Sequence, residues 1–427
     1  MSRHSPTTLP GNYSHFYSVN SYLGIKYAAP PTGALRWQAP VPIERQNNYT
    51  LDQTVNATEP APQCIQGTPA WADALFATAG SSATAGSIAS SEDCLILDVF
   101  TPTESKNLPV QVWIHGGGYT IGSAAGAGGE NTVAHSHGSV VFVSIQYRLG
   151  AYGFLSNRAV KENGAPNAGL LDMRAALDWV QRNIHVFGGD ASKVTISGGS
   201  AGGGAVTNQL ILYGGDDSPP FRAAISEYPW WQTYKNDTIL DAQFRELLAA
   251  SNCTELNCLR NLSESDLANA TQATYQSAYD SGNYAYGDFY YGPAVDGEII
   301  RDLPSNEFKQ GHFSKVALLT DHDGFEGAAL TNFSISSTPQ ALENLQTLWP
   351  SAGSAFWARL GELYTVADFT GSYFDNAFFN STIITLAASA FGFEVSNSEF
   401  WRAQDIYGDF VIDCPTVSEK WSFPFEA

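Results

Sequence analysis

The chain has 427 residues and carries 42 acidic against 21 basic residues, a net charge of −21. That balance repels phosphate backbones and anionic lipid, and so excludes nucleic acid as a partner. A 44% hydrophobic content lets the chain bury a large core, and no apolar run reaches the roughly 18 residues that a membrane span needs.

In chain order, the start Met1-Ser2-Arg3-His4-Ser5-Pro6 lacks the apolar stretch of a signal peptide. Other features point outward. Asn-x-Ser/Thr sequons fall at Asn12, Asn48, Asn56, Asn236, Asn252, Asn261, Asn269, Asn332 and Asn380, acceptors that matter only in the secretory pathway. Cysteine usage fits an oxidising compartment: Cys253 and Cys258 are close enough to close a tight loop, Cys64 could pair with Cys94, and Cys414 is left over. Cys414 reads as a buried thiol or as one whose partner lies outside this sequence.

The Ala/Ser/Gly-rich segment 72–90 reads as a flexible surface loop. Beyond it, strand-like runs at 110–114, 140–145 and 194–197 alternate with helical patterns, the signature of α/β architecture with a mostly parallel sheet covered on both faces. Leu170, Met173, Leu177, Val180 and Ile184 recur at spacings of three and four and line one helix face, which Gly188-Gly189 ends. Residues 238–279 read as a helical insertion outside the sheet, 315–320 as a further strand and 339–406 as helical again. There is no linker and no internal repeat, so residues 1–427 are expected to form a single domain.

The chemistry is concentrated in two glycine-rich stretches. Gly198-Gly199-Ser200-Ala201-Gly202 places a serine between a strand and a helix, with small residues two positions on either side. A nucleophilic serine needs that sharp turn to lift its hydroxyl off the backbone. The pattern alone is weak in a chain with 39 glycines; the strand before it and the helix after it supply the required context. His115-Gly116-Gly117-Gly118, directly after a strand, suits an oxyanion-binding loop. Gly117, Gly118 and Ala201 are the expected N–H donors, and His115 is expected to brace the loop.

These stretches, with Leu23-Gly24-Ile25-Lys26-Tyr27-Ala28, Pro30-Pro31, Ser91-Glu92-Asp93-Cys94-Leu95, Tyr147-Arg148-Leu149-Gly150, Asn167-Ala168-Gly169-Leu170-Leu171-Asp172, Phe187-Gly188-Gly189-Asp190 and Gly292-Pro293-Ala294-Val295-Asp296-Gly297, resemble the type-B carboxylesterase family, which also contains fungal lipases and cholinesterases. The resemblance spans roughly residues 12 to 420. It implies an α/β-hydrolase fold, cleavage of small-molecule carboxylic esters through an acyl-serine intermediate on Ser200, Cys64–Cys94 and Cys253–Cys258 disulfides, an extracellular location, and neither metal nor organic cofactor. It also implies an acid that precedes a glycine after a late strand, here Glu326 before Gly327; Asp321 and Asp323 are rivals on chemistry alone.

Two departures stand out. The triad needs an imidazole that follows the acid in this fold, yet the histidines, His4, His15, His115, His135, His137, His185, His312 and His322, all precede Glu326. With the unfamiliar ending at 421–427, this suggests a truncated isoform or a gene model lacking its last exon, impaired in catalysis. His185 reads as a helix-end capping or packing residue. Second, many relatives carry a glutamate where this chain has Gly199, so cation recognition of the cholinesterase kind is not expected. The alternative from another class is a non-catalytic adhesion module, against which the retained serine and glycine loop argue. The aromatic runs 228–231 and 289–291 could line an acyl pocket or pack the core.

Overall fold

The apolar runs assemble into one seven-stranded sheet in the computed structural model, which describes residues 19–45, 56–72, 89–369 and 398–422. In chain order the strands are β1 (Val19–Lys26), β2 (Ile96–Pro102), β3 (Leu108–Ile114), β4 (Val141–Ile145), β5 (Gly189–Gly199), β6 (Ala223–Glu227) and β7 (Ala317–Asp321). Across the sheet they run β1-β2-β4-β3-β5-β6-β7. β1 and β2 pair antiparallel, as do β2 and β4; every later pairing is parallel. The four expected strands are all present. Sequence patterning missed β1, β2 and β6; β1 is a half-buried edge strand carrying Asn20, Ser21 and Gly24, with little apolar signal to read.

Packing follows the helical periodicity. Leu170, Met173, Leu177, Val180 and Ile184 are all fully buried along the helix Ala168–Asn183 and the 3-10 turn that extends it. Each contributes on the order of 2 kcal/mol of apolar burial. Gly188, at φ 82°, ends the turn in the left-handed conformation. His185 on that turn is exposed rather than packed. The insertion is helical as expected, with helices Asp237–Ala250, Leu256–Arg260 and Glu264–Asp280, and the Cys253–Cys258 disulfide closes the turn between the first two. The Cys64–Cys94 disulfide also forms, with Cα atoms 5.0 Å apart.

Several motif residues pin these layers together. Arg36 grips Glu92 through two hydrogen bonds of 2.7 and 2.6 Å and donates to the carbonyls of Leu259, Arg260 and Leu262, tying the sheet to the insertion. Arg148 makes a similar buried fork on Asp172. Asn167 donates to the Ala294 carbonyl and accepts from its N–H. The two ion pairs are strongly destabilising to break because a lone buried charge has no partner.

Cys414 is corrected: it is a free thiol at the exposed start of the helix Cys414–Ser422, not a buried one. Ala72 is also buried, in a helical turn, although the rest of the expected loop up to residue 88 lies outside the described residues. So do the sequons at Asn12, Asn48 and Asn380 and the segment 423–427. Asn56, Asn236, Asn252, Asn261 and Asn269 are exposed and Asn332 is half-buried.

Candidate active site

Ser200 sits between the end of β5 and the helix Ala201–Ile211 at φ 58°, ψ −128°, a conformation costing a non-glycine residue on the order of 1–3 kcal/mol. Surrounding hydrogen bonds hold it there. Its N–H donates to the Glu227 carbonyl at 3.2 Å, and its carbonyl accepts from the N–H groups of Gly204 and Trp230 at 2.9 and 3.0 Å. A Cβ on Gly198 would lie 2.6 Å from the Gly202 backbone, and one on Gly202 would lie 2.2 Å from the Ile114 carbonyl oxygen. The elbow can therefore form only with small residues at both positions.

β3 lies beside β5 in the sheet, so the loop that leaves β3 meets the elbow. A Cβ on Gly116 would stand 3.2 Å from Ser200 Cβ and 3.7 Å from the Ala201 nitrogen. Gly117 and Gly118 follow at φ 103° and 60°, and the Gly117 carbonyl accepts from Thr120 and Ile121. His115 braces the loop, as expected. Its ring is buried and stacks on Tyr147 with centroids 4.3 Å apart, and the Tyr147 hydroxyl donates to its carbonyl. The Nδ1 atom lies 2.9 Å from the Gly116 carbonyl, so Nδ1 carries the proton. Burial lowers the His115 pKa to about 4. It is a neutral strut near pH 7.

The third element leaves β7. Along the sheet Gly199 is in register with Glu227, and Glu227 with Asp321, which puts the 322–327 loop two strands from the elbow, about 10 Å away. Asp321 and Asp323 are exposed, whereas Glu326 is half-buried. Glu326 Oε1 accepts the Asp323 N–H at 2.5 Å. Burial raises its pKa, and the Asp323 and Asp413 carboxylates add to the effect. His322 does not turn toward the elbow machinery: its Nδ1 lies 3.0 Å from both the Asp323 carbonyl and Asp413 Oδ1.

The aromatic runs divide. Trp230, Tyr290 and Tyr291 are core residues, while Phe289 and Tyr228 reach the site. A Cβ on Gly118 would fall 2.0 Å from the Phe289 ring, and one on Gly199 would fall 2.4 Å from the Tyr228 hydroxyl. Tyr228 thus fills the space that a larger residue at 199 would need.

Sequence reading missed two carboxylates. Asp413 belongs to a π-helical turn, Asp409–Asp413, far in sequence from the loop it faces. Glu419 is fully buried against the back of the elbow helix, where it accepts from the hydroxyls of Thr207 and Ser226. Burial raises its pKa to about 7. Neither has a local pattern, because each is defined by long-range neighbours.

Residues 7–419 match the carboxylesterase family. The chain belongs to that family. By family it is a serine carboxylic ester hydrolase with the α/β-hydrolase fold. Among carboxylesterase relatives, it is 34% identical over 358 residues to the carboxylesterase PatB of Aspergillus clavatus, covering 74% of this chain and 62% of that protein. It is 33% identical to lipase 1 of Geotrichum candidum, covering 93% of this chain and 73% of the relative. The crystal structure of Aspergillus niger EstA superposes with a TM-score of 0.76 at 29% identity, covering 95% of this chain and 71% of that one. Within this carboxylesterase, the motifs around Glu92, Arg148, Asn167, Asp172 and Asp296 act as structural pins, and those around Gly117 and Ser200 meet at the ends of the parallel strands.

Proposed function

We propose that Ser200 is the nucleophile of an esterase that cleaves small carboxylic esters, with Gly117, Gly118 and Ala201 as oxyanion donors and Glu326 as the acid. The observation that carries this reading is the strained Ser200 backbone held against the Gly116–Gly118 turn. Among the described residues, the N–H groups of Gly117 and Gly118 donate none of the loop or side-chain hydrogen bonds, and the Ala201 N–H opens a helix, where no intrahelical acceptor exists. All three remain available to a tetrahedral oxyanion.

In this mechanism the Ser200 hydroxyl adds to the ester carbonyl, the oxyanion takes the three N–H bonds, and collapse expels the alcohol to leave an acyl-serine that water hydrolyses. Proton transfer needs an imidazole between Ser200 and Glu326. Glu326 would orient that ring. Residues 1–427 contain no histidine after Glu326, so turnover by this polypeptide alone is expected to be slow. Residues 1–427 work as a single domain in this reading, without metal or organic cofactor in the reaction. The two disulfides and the exposed sequons support an extracellular glycoprotein.

The test is covalent labelling by a fluorophosphonate in a chain extended past residue 427 with a histidine-bearing segment. Labelling of Ser200 that disappears in Ser200→Ala supports the assignment. An unlabelled Ser200 in that chain sinks it.

A further inference from the structure

The sheet ends at β7, which pairs only with β6 among the described residues. Its outer edge carries neither proline nor bulge, the usual devices that block edge-to-edge pairing. The Tyr228 N–H donates to the Asp321 carbonyl, so the backbone of Asp321 faces β6. Backbone groups alternate sides along a strand, which turns the N–H and C=O groups of Leu318 and Thr320 outward. No loop or side-chain hydrogen bond among the described residues uses them.

The two faces of β7 also differ. Ser226, in register with Thr320, reaches the buried Glu419 of the helix Cys414–Ser422, so that helix covers the face of Leu318 and Thr320. On the other face Ala317, Leu319 and Asp321 are exposed, and Leu319 is 63% open to solvent. An open strand edge beside an uncovered leucine is a template for another strand.

We propose that β7 pairs antiparallel with β7 of a second copy of this chain, about a twofold axis through Leu319, to join the two sheets. This register sets Leu318 of each copy opposite Thr320 of the other, so the outward-turned backbone groups exchange both N–H···O bonds. Leu319 meets Leu319 in the closer, non-hydrogen-bonded kind of pair. A slip of one residue brings the inward-turned groups of Leu319 to the seam. A slip of two sets Thr320 opposite Val316, whose N–H already donates to the Ser314 carbonyl, or sets Leu319 opposite Asp321.

Charge favours a second copy over an unrelated strand. Lys315 and Asp323 are exposed, and the Lys315 ammonium lies 3.0 Å from the Phe313 ring centroid rather than on a carboxylate. In the proposed register Lys315 of one copy falls opposite Asp323 of the other and diagonal to Asp321. The edge is therefore complementary to itself when reversed, and the contact closes as a twofold dimer. Each copy has a net charge of −21, a repulsion screened beyond about 8 Å at physiological ionic strength. The seam is short, so the dimer is a weak one whose population rises with concentration.

The test is sedimentation velocity of the 427-residue protein over a range of concentrations in about 0.15 M salt, with circular dichroism checking that each variant folds. A monomer–dimer equilibrium is expected, weakened about tenfold or more in Leu319→Lys, which sets like charges face to face at the centre of the seam. Crosslinking fixes the register. In a Cys414→Ser background, Leu319→Cys should form an intermolecular disulfide on copper-phenanthroline oxidation, because the Cα atoms of such a pair lie about 4.5 Å apart, within disulfide reach. Ala317→Cys, about 14 Å from its own copy along the seam, should not. A monomer at every concentration, an unchanged equilibrium in folded Leu319→Lys, equal crosslinking of Ala317→Cys, or growth beyond dimers overturns the proposal. So does slow amide exchange at Leu318 and Thr320 in the monomer, which would show another segment of this chain on the edge. No readout uses turnover, so the Ser200 assignment stands or falls separately.

Discussion

Gly327 packs against Gln404 so closely that a Cβ at 327 would lie 1.8 Å from the Gln404 carbonyl oxygen. The contact presses the loop that carries Glu326 onto the helix Ser398–Gly408. It explains physically why a glycine follows Glu326. Gly327→Ala is expected to cost about 1–3 kcal/mol through overpacking. Gly324 lies three residues away with nothing within 4 Å of its Cβ position, and Gly324→Ala is expected to be neutral or slightly stabilising. Chemical denaturation of the two variants separates close packing from loop flexibility; equal losses would contradict this account.

Breaking the Arg148–Asp172 fork should be costly. The two side chains are 3% and 0% exposed, so Arg148→Ala leaves a carboxylate in the core. The expected loss is about 3–5 kcal/mol, read as a shift in the urea midpoint. By contrast, Arg158→Ala, which breaks a surface pair whose side chains are 87% and 56% exposed, should leave the urea midpoint essentially unchanged.

Glu419 should make stability depend on pH. Its folded pKa lies near 7, against 4.5 for an unperturbed glutamate, so between those values the folded chain holds a proton that the unfolded chain has lost. Stability from this group is therefore full below about pH 4.5, falls as pH rises toward 7, and levels off above. The total is up to about 3 kcal/mol. Glu419→Gln, which stays neutral, should remove this slope from the denaturation midpoint measured across pH 4–8. An unchanged slope would refute the buried, protonated state.

Residues 1–427 alone should turn over a short acyl nitrophenyl ester weakly, since a site lacking one triad member typically retains about 10³- to 10⁴-fold acceleration over water. Fast, burst-phase hydrolysis by this polypeptide, abolished by Ser200→Ala, would show that the base comes from within it.

Expression through a secretory pathway should glycosylate the exposed sequons Asn252, Asn261 and Asn269, read as mass lost on enzymatic deglycosylation. Asn332 is half-buried, and its side chain already accepts from the Ser334 N–H and hydroxyl. It should be the least occupied of the described acceptors. Asn236→Gln carries a separate cost of about 1 kcal/mol, because Asn236 caps the helix Asp237–Ala250.

By itself the sequence determined the α/β class, the parallel strands around 110–114, 140–145 and 194–197, and the elbow with its glycine loop. These depend on local periodicity and on residues a few positions apart, which composition and spacing record directly. Only the tertiary structure decided the surroundings of Glu326, the exposure of Cys414, the burial of Glu419 behind the elbow, and the meeting of Asp413 with His322. Such contacts join distant segments, as Thr207 and Glu419 do across 212 positions. Burial and electrostatic neighbours are set by that packing rather than by any residue's near neighbours in the chain.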